Sequence, residues 1–305
     1  MKRSRGLRPA LALAVRHAHG HSPSSGSALR AAAVLTIAFA ALEAAGGWWT
    51  GSLALLSDAG HMLTDGAALA LGAFAAWVAR RPPSARHSYG LGRAEIFAAL
   101  VNAVAMLAIV GALGYEAFAR LREAAPVRGE AAALIALAGL ALNLVILRRL
   151  APHRHDLNAR AAVLHVVGDA LGSLAAVVSG LVIAFTGWTR VDPIASLVIC
   201  ALIAVSAMRL TRESVNALME GVPGGLSMEA IGREMAGVEG VLSVHDLHVW
   251  TLSGSQTALS AHVVVHSMTQ WDATLHALRH RLHEKFHIDH VTLQPESGIQ
   301  PLVRH

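Results

Sequence analysis

Two stretches of the sequence could do chemistry together: Ser57-Asp58-Ala59-Gly60-His61-Met62-Leu63-Thr64-Asp65 and His165-Val166-Val167-Gly168-Asp169. Each sets a histidine and an aspartate four residues apart in an otherwise apolar run, and positions i and i+4 share one face of a helix. Two such helices facing each other offer two imidazole nitrogens and two carboxylate oxygens, the coordination number and donor set that zinc favours. A charged side chain at the centre of a bilayer costs roughly 2.5 to 3.5 kcal/mol, so two intramembrane aspartates cost on the order of 5 kcal/mol or more that must be recovered elsewhere. Interhelical hydrogen bonding is the purely structural alternative. The same spacing occurring twice argues instead for a divalent-cation site made of His61, Asp65, His165 and Asp169. Asp58 lies three residues before His61 on the same stripe and is expected to be a way-station for ions or protons. Glu43, also within an apolar run, is the second candidate for that path.

The elements that must position these groups are membrane helices. Of the 305 residues, 54% are hydrophobic and only 15% charged, too apolar for an ordinary soluble protein. Apolar segments long enough to cross a bilayer run over about 29–49, 53–78, 94–118, 131–147, 159–185 and 193–210. Lysines and arginines gather in the N-terminal tail, in 80–93, in 148–160 and after Arg209, while the turns near 50 and 190 hold none and one. That asymmetry places both termini in the cytoplasm. Only the 120–130 link, with Arg120, Arg122 and Arg128, runs against it. The net charge of +5 is read as this topology signal; the basic residues sit in loops and form no stripe for nucleic acid.

Composition changes near Thr211, and Pro223-Gly224-Gly225 marks a linker. Beyond it the pattern reads α-β-β-α-β: a helix over 227–236 with Ser227 near its cap, strands over 241–252 and 257–265, an amphipathic helix over 272–286 and a strand over 290–293. The expected architecture is an all-α bundle of six transmembrane helices (29–212) plus a small cytoplasmic α+β domain (213–305). Before them comes a cytoplasmic tail (1–28) whose His17, His19 and His21 could hold metal loosely. On a strand, His245 and His248 are an odd number apart and should point to opposite faces, so they should not share one site. The single Cys200 lies in an apolar run and is read as a buried free thiol, which leaves neither a disulfide framework nor a Cys-based zinc site.

Four further motifs carry a resemblance. They are Gly51-Ser52-Leu53-Ala54-Leu55-Leu56 running into Asp58-Ala59-Gly60-His61, the loop His87-Ser88-Tyr89-Gly90, Asn158-Ala159-Arg160-Ala161-Ala162-Val163-Leu164-His165, and His245-Asp246-Leu247-His248-Val249-Trp250. Over nearly its whole length the chain resembles the cation diffusion facilitator family of divalent-metal transporters. The resemblance implies a homodimer of six-helix protomers and a cytoplasmic ferredoxin-like domain that binds metal and helps hold the dimer. It also implies a transport site between the second and fifth helices, matched here by His61, Asp65, His165 and Asp169. This His-Asp/His-Asp set is similar to that of the zinc-transporting branch, which commonly also carries cadmium. Family ligands in the cytoplasmic domain fall on His245 and His262; the last strand offers Gln294 and Glu296 where some members have His and Asp, and Glu296 is the third candidate ligand. A loop site found in some relatives is matched only by His87, with Ser84 and Leu91 at its other positions, and is not expected. The family's pairing of a basic residue after that loop with an acid at the end of the sixth helix falls on Arg93 and Glu220.

Zinc needs neutral imidazole and ionised carboxylate, so its binding expels protons. Histidine, with a pKa near 6.5, is the side chain most able to load and lose a proton across a membrane's pH difference. The expected function is therefore zinc efflux across the cytoplasmic (inner) membrane by proton antiport and alternating access. His61 and His165 serve as ligands and proton carriers, Asp65 and Asp169 as anionic ligands. Zinc is the substrate and a regulatory ligand of the cytoplasmic domain; protons, membrane lipid and a second copy of the chain are the other partners. Cadmium, cobalt or nickel as main substrate stays open, because the same donors accept them, as does a membrane metal receptor that does not transport. An enzyme is not expected: neither motif carries His-Glu-x-x-His or a nucleophile–base pair.

Overall fold

The computed structural model describes residues 23–150, 157–253 and 256–298. His17, His19, His21, His153 and His155 lie outside the described residues. Six helices come first: α1 (Pro23–Thr50), α2 (Leu53–Ala79), α3 (Ala94–Arg122), α4 (Gly129–Leu150), α5 (Leu157–Thr186) and α6 (Val191–Leu218). Alanine and leucine, which lose little side-chain freedom in a helix, fill nearly half of their length. α2 through α6 are long and apolar enough to cross a membrane, and the stretch of α1 whose side chains are described, Val34–Thr50, is apolar as well. Large apolar side chains such as Leu69, Phe74, Phe97, Leu202 and Val205 face outward, which lipid accommodates and water does not. The protein is an integral membrane protein.

Each helix end has a local cause. Gly51, at φ 76°, makes the tight turn between α1 and α2 that a side chain would oppose. Ser52 then caps α2, its hydroxyl accepting from the amide of Leu55. α6 carries Asp192 and Pro193 in its first turn, where a missing amide costs nothing. It continues to Leu218, beyond residue 212 where composition becomes polar, because nothing from Thr211 to Leu218 breaks a helix; the breakers Gly221 and Pro223 come later.

Within the bundle α2 touches α1, α3, α5 and α6, and α5 lies against α4, α6 and α2. The two helices that carry the His/Asp pairs therefore meet inside it. The arginines of the α3–α4 link, which ran against the charge asymmetry, are engaged there: Arg120 donates to Gly51 O at 2.6 Å, and Arg128 stacks 4.7 Å over the Trp49 ring. They tie the α3–α4 link to the end of α1 and the turn that follows it.

The C-terminal unit is α7 (Met228–Ala236), β1 (Val241–Ser253), β2 (Gln256–Val265), a 3-10 turn, α8 (Trp271–Phe286) and β3 (His290–Ser297). The sheet order is β1-β2-β3, with β1 and β2 antiparallel and β2 and β3 parallel. Ile231, Met235, Leu278 and Leu282 of the helices bury one sheet face against Val249, Leu259, Ala261 and Val263. Lys285 and Arg281 of α8 both donate to Glu234 of α7, and these bonds hold its carboxyl below the ordinary range.

Candidate metal centre

On α2, Asp58, His61 and Asp65 follow one stripe, and Asp169 of α5 meets it. His61 Nδ1 lies 3.4 Å from Asp65 Oδ2, and its Nε2 lies 3.8 Å from Asp169 Oδ1. His61 and Asp65 are partly exposed and Asp169 is buried. One donor atom from each of the three lies within 4.8 Å of the other two. Donors on a tetrahedral zinc ion stand about 3.3 to 3.6 Å apart, given bonds of about 2.0 to 2.2 Å, so shifts of about 1 Å bring these three around one ion. His165 lies one helical turn before Asp169 on α5; its side chain lies outside the described residues. Within that stripe the Thr64 hydroxyl donates back to the carbonyls of Gly60 and His61, both at 2.7 Å.

One buried carboxylate at the end of the bundle is not singled out by the sequence pattern. Asp192 of α6 accepts from Ser52 Oγ at 2.6 Å, from the Leu53 amide at 2.6 Å and, more distantly, from the Ala54 amide at 3.4 Å. A carboxylate at a helix N-terminus satisfies amides that have no partner within the helix and meets the positive end of its dipole. Asp192 thus fixes the start of α2, eight residues before His61. The signal available was an Asp-Pro pair at the head of an apolar segment, but the partner amides belong to a helix 139 residues away. Ser57 and Ser196, bonded Oγ to Oγ at 2.6 Å, join the same two helices one turn further in.

The second cluster lies on the sheet face turned away from α7 and α8. Glu296 of β3 bridges two imidazoles, with Oε2 2.9 Å from His245 Nε2 and Oε1 2.8 Å from His262 Nδ1. These bonds, His245's first, outweigh desolvation and hold the Glu296 carboxyl below its ordinary value. Two imidazoles and one carboxylate are the three-ligand set of many zinc sites. The expectation that His245 and His248 face opposite ways is overturned. His245 pairs with His262 and His248 with Ser260, so three steps along β1 oppose two along β2. Cross-strand partners share a face, and His262 and Ser260 are two apart, so His245 and His248 share theirs. The extra residue is a bulge, and within it Asp246 takes φ 50°. From there Asp246 reaches both His248 Nε2, at 3.0 Å, and His262 Nε2, at 3.8 Å.

Where the helical bundle meets the sheet, a cleft of about 1040 Å³ opens between residues 86–97, the end of α6 and β1. On its wall Arg93 Nη2 donates to Glu220 Oε1 at 2.9 Å, and Glu220 sits at φ 59° just past α6. Tyr89 stacks edge-on to His290 of β3, with ring centroids 5.8 Å apart.

Residues 29–219 match the family model for the cation efflux transmembrane domain, and residues 223–298 that for the cation efflux protein cytoplasmic domain. The chain is 41% identical over 285 residues to the zinc transporter ZitB of Escherichia coli (strain K12), covering 92% of this chain and 91% of that protein. It is 36% identical over 289 residues to the cadmium, cobalt and zinc/H(+)-K(+) antiporter of Bacillus velezensis, covering 92% of each. A solved structure of the metal-bound C-terminal domain of the CzcD transporter from Cuprividus metallidurans aligns with 23% of this chain and 99% of that one, at 33% identity and a TM-score of 0.22. Matched along both of its parts and across nearly the full length of its relatives, the chain belongs to the cation efflux family.

Proposed function

We propose that this protein exports zinc and related divalent cations from the cytoplasm in exchange for protons, by alternating access of a four-donor site between α2 and α5. One observation carries the reading: His61, Asp65 and Asp169 meet inside an apolar bundle, where ionisable groups are costly and therefore functional. His165 supplies the fourth donor from α5. Similarity to a zinc transporter and to a cadmium, cobalt and zinc/H(+)-K(+) antiporter supports both the cargo and the coupling. Loading zinc expels protons from His61 and His165, and release on the far side lets them return.

In this reading α1 is the sixth span, both termini are cytoplasmic and the membrane is the inner one. The C-terminal unit is ferredoxin-like, with two helices on one sheet face, and joins two copies into a homodimer. Zinc held by His245, His262 and Glu296 makes that unit a sensor of cytoplasmic zinc, and Arg93 with Glu220 interlocks it with the bundle. The test is zinc uptake into everted vesicles under an imposed pH gradient, lumen acidic. Uptake indifferent to the gradient refutes the coupling. Zinc binding without flux makes the protein a receptor, and full flux by Asp169→Ala refutes the site.

A further inference from the structure

Two intramembrane carboxylates, Glu43 and Asp58, stand outside the metal centre. Both are buried, at 0% and 1% exposure. Asp58 Oδ2 accepts from Ser173 Oγ at 2.8 Å, and Ser173 Oγ in turn accepts from Asn143 Nδ2 at 3.3 Å. A polar chain therefore runs from α4 through α5 to α2. Glu43 of α1 packs against α4 at Gly139, where a Cβ would lie 2.5 Å from Glu43 Oε1. Asn143 is one helical turn further along that face. Among the described residues both Glu43 oxygens and Asn143 Oδ1, all buried, have no hydrogen-bond partner. Such groups are costly to leave unsatisfied, so three orphan acceptors in one apolar bundle point to a missing donor.

The surroundings define that donor. The titratable groups acting on Glu43 are Asp58 from α2 and Asp169 from α5, and Asp169 also acts on Asp58; α4 brings Gly139 against Glu43 and Asn143 onto Ser173. No lysine, arginine or histidine among the described residues pairs with either carboxylate. The donor set of two carboxylates, an amide and a hydroxyl is all oxygen, which does not suit zinc. Both carboxylates lie tight against a neighbouring helix: a Cβ at Gly172 would collide with Asp58 Oδ1, as one at Gly139 would crowd Glu43. The species that fits between packed oxygens and turns an acceptor into a donor is a proton.

We propose that Glu43 and Asp58, with Asn143 and Ser173, form a proton site separate from the metal centre and bind the counter-ion of transport. The proposal rests on the antiport reading above. Its coupling is electrostatic: a divalent ion arriving at Asp169 favours the ionised carboxylates, so protons leave, and its departure lets them return.

The test uses the full-length protein in liposomes at zero membrane potential, with equal potassium on both sides. The zinc gradient sustained at static head by a pH difference of one unit reads the proton count. Each proton per zinc contributes about 1.36 kcal/mol per pH unit, a factor of about ten in that gradient. Glu43→Gln is expected to lower the sustained gradient about tenfold while zinc binding at the membrane centre is kept. Asp58→Asn, which leaves Glu43 in place, is expected to do the same and stands in if the first variant does not fold. Unchanged static-head gradients in both variants overturn the proposal. So does loss of zinc binding at the membrane centre, which would make these groups metal ligands. A gradient that follows an imposed potassium difference at zero pH difference, and that Glu43→Gln abolishes, also overturns it in favour of a larger cation. If wild-type protein sustains no pH-dependent gradient at all, the antiport reading fails instead, an outcome distinct from coupled wild type with unaltered variants.

Discussion

Removing Asp192 isolates what holds the start of α2. Its carboxylate makes two short bonds, to Ser52 Oγ and the Leu53 amide, both 2.6 Å, and two long ones, to the Ala54 amide at 3.4 Å and Ser179 Oγ at 3.5 Å. Hydrogen bonds to a charged group contribute about 1.5 to 3 kcal/mol each. Counting only the short pair, Asp192→Ala costs about 3 to 6 kcal/mol, a large share of the whole stability of a typical domain. Part of that cost is the penalty of leaving the buried amides of Leu53 and Ala54 without an acceptor. Ser52→Ala removes one short bond to the carboxylate together with the cap bond from the Leu55 amide, and leaves the carboxylate on the Leu53 amide, so it should cost about 2 to 5 kcal/mol. The two changes touch one network, and the double variant should fall well short of their sum. The molecule carries its own probe: Cys200 is the single cysteine, buried on α6 with Sγ 3.9 Å from Ser57 Oγ. Labelling of Cys200 by a thiol-reactive dye during thermal or denaturant unfolding in detergent therefore reports loss of the α2–α6 contact. An Asp192→Ala protein within about 1 kcal/mol of wild type, or one whose effects add simply with Ser52→Ala, would show that the carboxylate does not anchor the helix.

Three other outcomes are expected. His61→Asp makes the donor set richer in oxygen, so metal competition for flux in vesicles should move away from zinc toward harder divalent ions; an unchanged order of competition removes His61 from the site. Glu296 has a folded pKa held below its unfolded value by His245 and His262, so its contribution to the cytoplasmic unit is present above the unfolded carboxylate pKa and lost as pH falls through the folded one. In zinc-free protein, hydrogen exchange along β3 should therefore quicken on acidification over that range, and Glu296→Gln should flatten the response. Gly172→Ala drives a methyl group into Asp58 Oδ1, a crowding that costs about 1 to 3 kcal/mol, visible as a lowered midpoint in the same dye assay.

What the sequence discloses and what it hides divide along the range of the interactions. His61, Asp65 and Asp169 are legible because a four-residue spacing fixes the face and an apolar context makes a charge conspicuous. Asp192 is not legible, because it sits at the rim of its span, where a carboxylate looks like ordinary helix-end polarity, and its value comes from amides on α2. The facing of His245 and His248 departs from strand parity for a related reason. Strand parity assumes one residue per step, and the bulge at Asp246 inserts another; only the register against β2 reveals it. The run of α6 to Leu218 shows the reverse case, where a change to polar composition does not end a helix that nothing breaks. Glu43 and Asp58 were visible as costly residues but not as partners, since what relates them is Gly139 and Asn143 on α4 and Gly172 and Ser173 on α5. A buried charge in a membrane sequence thus marks a place where function is at work, while the identity of the ion it serves depends on donors contributed by other helices. In the reading proposed here the nitrogen-bearing cluster takes the metal ion and the all-oxygen cluster takes the proton. Two adjoining sites with different preferences, coupled through Asp169 as proposed, are what an exchanger of the two ions requires.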